Sequence, residues 1–134
     1  MRRLIVIIAL AGILAGLAAG CGNDQQRYDA TTDSLTDILA ARPEVVDAKI
    51  TYQNSLDAAA TAAANVEVTE GSDPEPIADE VVRLLWTSTL TPLNGVNISV
   101  WDVTDNKRSD VRQLQFEDPA TKQKLESEHG KRPV

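Results

Sequence analysis

Residues 46–53, VDAKITYQ, decide the fold, because their apolar and polar side chains alternate without exception. The apolar set is Val46, Ala48, Ile50 and Tyr52. Strict alternation is typical of a β-strand with one buried face and one face in water. A second alternating run carries Ala62, Ala64, Val66 and Val68. The two runs predict a β-hairpin that turns within residues 54–60, although the alanine-rich stretch 57–64 fits a helix equally well and leaves the start of the second strand open.

Before the hairpin, residues 31–42 are predicted to form a helix. Leu35, Ile38 and Leu39 recur at positions i, i+3 and i+4, which is the spacing of one helical face. Pro43 ends this helix, because the residue before a proline is pushed out of the α region.

After the hairpin, a second helix is predicted to begin at Pro74. Asp73 is a natural N-cap, and proline suits the first helical position. The apolar stripe expected to pack on the sheet consists of Ile77, Val81, Leu84, Leu85 and Ser88. Such a stripe covers one side of a helix and requires a partner surface.

A third strand is predicted over residues 96–103, and an optional fourth strand over residues 111–116 would close the sheet edge. The order α-β-β-α-β predicts an α+β fold, a two-layer sandwich with two helices on one face of a small sheet. One domain is expected over residues 31–116. Residues 117–134 are rich in charges of both signs and are predicted to be a flexible, solvated tail.

This element order resembles the BON domain, a small module of bacterial envelope proteins. The resemblance is one of topology, across residues 31–105. The glycine-centred pattern of that family's strands is missing here, since Gly71 follows the second strand. The resemblance implies a fold and no specific function.

Charge and cysteine content exclude several classes of function. The 134 residues include 13 Lys and Arg against 20 Asp and Glu, with one Cys and one His. A net charge of −7 argues against nucleic-acid binding, which needs clustered basic residues. A single cysteine excludes an intrachain disulfide, and one Cys with one His excludes the usual zinc sites.

The N-terminal segment has the three parts of a secretory signal. Arg2 and Arg3 precede an uncharged apolar run over residues 4–17, and small residues follow it. Three alternatives remain open for this segment: an uncleaved membrane anchor, an ordinary signal peptide, and a buried core helix. The apolar run is shorter than the roughly 20 residues that span a bilayer.

Ala19, Gly20 and Cys21 resemble the last three positions of the bacterial lipobox, although the usual leucine is displaced to Leu17. The resemblance implies that residues 1–20 are a signal peptide cleaved between Gly20 and Cys21. It also implies that Cys21 carries a diacylglyceryl group and anchors the protein on the extracytoplasmic side of the cell membrane, with its amine open to acylation. Residues 21–30 would then be a lipidated N-terminus and polar tether.

No catalytic signature is found in the sequence, so an enzyme is not expected. His129 is alone in the charged tail, and the paired acids Asp33 and Asp37 are explained by surface charge. The acids over residues 73–80 suit a helix N-terminus and lack the spacing of a calcium loop. No catalytic residue, metal site or cofactor is therefore predicted.

Trp101 and Val103 form the candidate interaction surface. Val96, Ile98 and Val100 are expected to face the helices, which leaves Trp101 on the opposite face of the sheet. Exposed apolar patches of this kind mark contact sites. Two alternatives stay open: the C-terminal segment covers Trp101, or the register is reversed and Trp101 lies in the core.

The sequence therefore predicts a lipid-anchored envelope protein with a non-catalytic binding domain. Its expected partners are the membrane, through the lipid, and an envelope protein or hydrophobic ligand. The alternative is a structural or sensory spacer that contacts the cell wall or an integral-membrane protein.

Overall fold

The protein is described by a computed structural model over residues 24–55, 58–105 and 107–134. The predicted signal peptide, its cleavage point and the lipidation residue Cys21 lie outside the described residues. The elements are α1 (Asp24–Ala40), β1 (Val45–Ser55), β2 (Ala58–Val68), α2 (Pro74–Trp86), β3 (Gly95–Asp102), β4 (Ser109–Gln115) and α3 (Pro119–His129).

The four strands form one mixed sheet in the order β1-β2-β3-β4. The β1–β2 and β3–β4 pairs are antiparallel, whereas β2 and β3 are parallel and joined by the crossover helix α2. The helices pack on one face of this sheet, which confirms the predicted α+β fold and the predicted fourth strand.

The core lies between the sheet and its helices. Residues opposite one another on paired strands form rows on the helix-covered face, such as Ile50, Ala64 and Ile98. The alternating apolar positions that predicted the hairpin are buried from Ala48 onward. Val46 is the exception, because a register shift between Val45 and Asp47 turns it outward and leaves it 52% exposed.

Helix α1 begins at Asp24, so the predicted tether up to residue 30 is wrong for residues 24–30. Its first turns are held by Tyr28, whose ring meets Tyr52 edge-on at 4.7 Å between centroids. Leu35 and Leu39 are buried as predicted, together with Thr32. Ile38 is 46% exposed, since the buried face of α1 runs through positions 32, 35 and 39 instead.

Helix α2 starts as the sequence predicts. The Asp73 carboxylate accepts a 3.0 Å hydrogen bond from the backbone N–H of Glu75, and Pro74 occupies the first helical position. The predicted stripe is buried against the sheet, and Trp86 at the C-terminal end of the helix is 1% exposed. An apolar stripe exposed to water would destabilise the fold, and here the sheet covers it.

The C-terminal segment is part of the fold, so the prediction of a flexible tail over residues 117–134 is wrong. Asp118 caps α3 by accepting a 3.1 Å hydrogen bond from the N–H of Thr121. Leu125 is 4% exposed and belongs to the core. The charged composition hid this helix, because one buried leucine leaves almost no apolar period to detect.

Candidate functional site

The side of the sheet away from the helices, here called the open face, is where the structure places Trp101. The open face consists of the outward residues of the four strands, which no described helix covers. They are Asp47, Lys49, Thr51, Gln53, Thr61, Ala63, Asn65, Glu67, Gly95, Asn97, Ser99, Trp101, Ser109, Val111, Gln113 and Gln115.

Trp101 is partly exposed on this face, near the end of β3. The helix-facing side chains Val96, Ile98 and Val100 are buried, which is the register that the sequence predicted. Glu67 and Ser109 lie directly opposite Trp101 on the neighbouring strands. The ring therefore stands on the surface of the sheet, with one acidic and one hydroxyl neighbour.

Two valines extend the apolar surface around Trp101. Val103 follows two residues later and is 48% exposed. Val111 pairs with Ser99 and so lies diagonally from Trp101, within the usual reach of a large side chain. Val111 is 66% exposed and was missed as a site residue. The alternation of residues 109–115 was the signal that could have found it.

The rest of the open face is polar and mostly uncharged. Amide and hydroxyl side chains dominate β2, β3 and β4, and the members Asn65, Asn97, Ser99, Gln113 and Gln115 make no side-chain hydrogen bond within the described chain. The charged members of the open face are Asp47, Lys49 and Glu67. The face is thus a polar surface with one aromatic ring.

The loop beside Trp101 is held rigidly by Asp102. Its carboxylate accepts hydrogen bonds from the N–H of Thr104 at 2.8 Å and of Gly71 at 2.9 Å. These bonds lower the pKa of Asp102 to about 2. Gly71 has a φ of 80°, a conformation that glycine adopts without strain. Asp102 therefore fixes two loops at the end of the sheet next to Trp101.

Among the described contacts, none places the C-terminal segment over Trp101. Its hydrogen bonds run to the helix side of the molecule, where Arg132 donates to the carbonyl of Leu85 at 2.9 Å and also to that of Leu90. The Arg132 guanidinium carbon lies 5.8 Å from the ring centroids of Trp86 and Phe116. It is Trp86, and not Trp101, that this segment covers.

A cleft of about 580 Å³ lies between α2, β4 and α3. Arg112 lines it and is held by both oxygens of Asp110, at 3.0 and 2.9 Å, and by Asp79 at 2.6 Å. These hydrogen bonds raise the pKa of Arg112, so it stays cationic. Because the carboxylates already occupy the guanidinium, the cleft offers an internal ion-pair network rather than an open anion site.

The other titratable residues considered from the sequence do not form a reactive group. His129 lies in α3 at the cleft and not in a tail, and its Nε2 is 3.7 Å from a Glu128 carboxylate oxygen. Asp33 and Asp37 are exposed on α1, far along the chain from that cleft. Within the residues that the structure describes, no cluster of three or more His, Cys, Asp or Glu side chains could hold a metal ion.

Comparisons with protein families, curated proteins and solved structures find no match to this chain. Among the helices of the described residues, none has the length and apolar character needed to cross a bilayer.

Proposed function

We propose that this protein is a lipid-anchored protein of the bacterial cell envelope whose domain binds a partner through the open face and carries out no catalysis. The observation that supports the proposal best is the partly exposed Trp101 on a sheet face that no described helix covers. The side of a sheet that faces water needs no aromatic ring for its stability. Exposed aromatic side chains are instead enriched at binding surfaces.

The anchor in this proposal is Cys21, with residues 1–20 removed as a signal peptide. Removal takes away two Arg and no acidic residue, and leaves 11 basic and 20 acidic residues with a net charge of −9. An acidic body is repelled by anionic headgroups, so the lipid supplies the attachment. Each buried lipid CH₂ contributes about 0.8 kcal/mol, and a diacyl anchor holds firmly.

The geometry of the acids supports a domain without catalysis. Asp73 and Asp118 cap α2 and α3, and Asp79 and Asp110 hold Arg112. Each of these carboxylates already has a structural partner. A general acid or base instead needs a free position beside a bound substrate.

The second candidate function is a structural or sensory spacer that contacts the cell wall or an integral-membrane protein. It is favoured by α3, which presents exposed charges of both signs, such as Lys124 and Glu128, on the helix side. In a spacer the contacts would involve α3, and Trp101 would be dispensable.

The test begins with intact mass on protein extracted by detergent from a bacterial membrane fraction, with wild type beside Cys21→Ser. We expect a wild-type species that lacks residues 1–20 and carries the diacylglyceryl mass, and an unprocessed variant. Release of an unmodified chain into the medium would contradict the anchor.

The binding role is tested by crosslinking in intact cells. Trp101→Ala should lose the crosslinked partner while membrane attachment remains, whereas Lys124→Ala should keep it. The opposite pattern would favour the spacer.

A further inference from the structure

The chemistry of the open face indicates what kind of molecule would lie on it. We propose that the open face binds a neutral glycan chain of the envelope, with Trp101 as the stacking platform and the amide side chains of β3 and β4 as hydrogen-bonding partners. The inference rests on the binding role proposed above and not on lipidation of Cys21.

The polar side chains of the face match a polyhydroxyl ligand. Asn97 and Gln113 are paired across β3 and β4, both are exposed, and neither makes a side-chain hydrogen bond within the described chain. Asn65 on β2 lies opposite Ser99, which lies opposite Val111. An amide offers two donors and two acceptor lone pairs, so it suits hydroxyl groups that both donate and accept.

Trp101 supplies the apolar part of the match. A sugar ring has a face of C–H groups, which packs against an aromatic ring, while its hydroxyls point sideways. Trp101 lies at one end of the open face. It is six residues along β3 from Gly95, which is a span of about 20 Å. The four strands make the open face about 14 Å wide, which is enough for an extended oligosaccharide.

The bilayer is a poor occupant of this face. Membrane-surface binding needs basic side chains together with a broad apolar surface. Here Lys49 is the one basic residue of the face, and the neighbouring row pairs two acids, Asp47 and Glu67. The α1 start, which follows Cys21, also lies beside Tyr52 and Thr91, at the end of the sheet away from Trp101.

A second copy of the chain, or a protein with an apolar surface, fits the face less well than a glycan. Stable interfaces bury about 800 Å² on each partner around a core with few charged residues and enriched in aromatics. The exposed apolar side chains on or beside the open face are Val111, Val103 and the outward-turned Val46, and Trp101 is partly exposed. The remaining polar surface would lose water without gaining apolar contact.

The experiment is calorimetric titration of the full-length chain in a zwitterionic detergent that carries no sugar. The probes are two uncharged hexamers, one of N-acetylglucosamine and one of glucose, and an acidic hexamer of galacturonate. We expect at least one neutral hexamer to bind. We expect the acidic one not to bind, because Glu67 lies beside Trp101 and the chain is acidic.

Single substitutions test whether sugar binding depends on the side chains of the open face. Trp101→Ala should weaken binding about threefold to tenfold, while Trp101→Phe keeps a ring and most of the affinity. Gln113→Ala should weaken binding about threefold. Gln123→Ala removes the same side chain from the exposed side of α3 and should leave the affinity unchanged.

Tryptophan fluorescence gives a second measurement. Trp86 is buried on the helix side, so a sugar-induced change should come from Trp101 and vanish in Trp101→Phe. Absence of binding by both neutral hexamers would overturn the inference. Binding that Trp101→Ala and Gln113→Ala leave intact, or equal binding of the acidic hexamer, would overturn it too. The loss of the crosslinked partner in Trp101→Ala is measured independently of these sugars, so failure of the glycan assignment is distinct from failure of the binding role.

Discussion

The indole Nε1 of Trp86 donates a 2.7 Å hydrogen bond to the main-chain carbonyl of Gly130, and so joins the end of α2 to the residue that caps α3. The same indole ring lies edge-on to Phe116, with 5.1 Å between ring centroids. Arg132 packs beside both rings and donates to carbonyls at the C-terminal end of α2 and in the loop beyond it. Residues 117–134 therefore pack onto the core.

Arg132→Ala should lower the free energy of unfolding by about 1–3 kcal/mol, because the carbonyls of Leu85 and Leu90 lose a charged donor. Urea unfolding measures this loss. The neighbouring Lys131 is exposed, and Lys131→Ala should stay within about 0.5 kcal/mol of wild type. Equal losses in the two variants would mean that Arg132 acts through net charge alone.

Leu125→Ala should cost about 2–5 kcal/mol, because it leaves a cavity under α3 at a side chain that is 4% exposed. Thermal unfolding followed by circular dichroism checks it. Val111→Ala, at an exposed position on the open face, is the control and should leave the midpoint almost unchanged. An unchanged midpoint in Leu125→Ala would mean that residues 117–134 are the flexible tail that the sequence predicted.

Trp86→Ala should cost about 3–5 kcal/mol, whereas Trp101→Ala should cost about 1 kcal/mol or less. The first ring is fully buried, and the second is partly exposed on the open face. Urea midpoints of the two variants under identical conditions make the comparison. A Trp101→Ala loss as large as that of Trp86→Ala would place Trp101 in a structural role and remove it from the binding proposal.

Asp102→Asn should destabilise the protein at neutral pH and remove part of its acid sensitivity. The folded-state pKa of Asp102, about 2, lies below its ordinary value of 3.8. The ionised carboxylate therefore stabilises the fold above pH 4, and that contribution is lost as the pH falls towards 2. Unfolding midpoints measured from pH 2 to pH 7 should converge for wild type and variant at the acid end.

The control for Asp102 is Asp47→Asn, which removes one carboxylate from an exposed position where it joins no loops. Its midpoint should follow that of wild type across the range more closely than Asp102→Asn does. A constant gap between wild type and Asp102→Asn at every pH would show that ionisation of Asp102 is not the cause.

Tyr28→Ala should loosen the first turns of α1, because the Tyr28 ring packs on Tyr52 and its hydroxyl donates a 3.2 Å hydrogen bond to the carbonyl of Thr91. Hydrogen exchange should become faster for amides of residues 24–31 and stay slow around Leu39. Gln26→Ala, on the exposed side of the same turns, is the control. Unchanged exchange in Tyr28→Ala would mean that the turn is held by its own hydrogen bonds.

The sequence predicted the sheet and α2 well, because their periodicity coincides with burial. Alternation over residues 46–53 and 62–68 gave the hairpin, and Asp73 with Pro74 gave the start of α2. No strand order was predicted from the sequence, and the parallel pairing of β2 with β3 is a finding of the structure. The outward position of Trp101 followed from the same alternation.

The sequence failed where a few distant contacts stabilise a polar segment. The start of α1 depends on Tyr28 meeting Tyr52, and α3 depends on Leu125 and on Trp86 bonding to Gly130. These contacts join residues far apart in the chain, so the local hydrophobic periodicity does not predict them. The bulge at Val46 was missed for a similar reason, since it depends on the register with β2.

The position of Tyr28 has a consequence for a protein held by Cys21. Three residue steps separate Cys21 from Asp24, which is at most about 10 Å of chain. Because Tyr28 packs on the sheet through Tyr52, unwinding of α1 can add only residues 24–27 to this linker unless the Tyr28–Tyr52 contact breaks. If Cys21 carries the proposed lipid, the domain stays in a thin layer beside the bilayer, and a binding partner has to enter that layer to reach it.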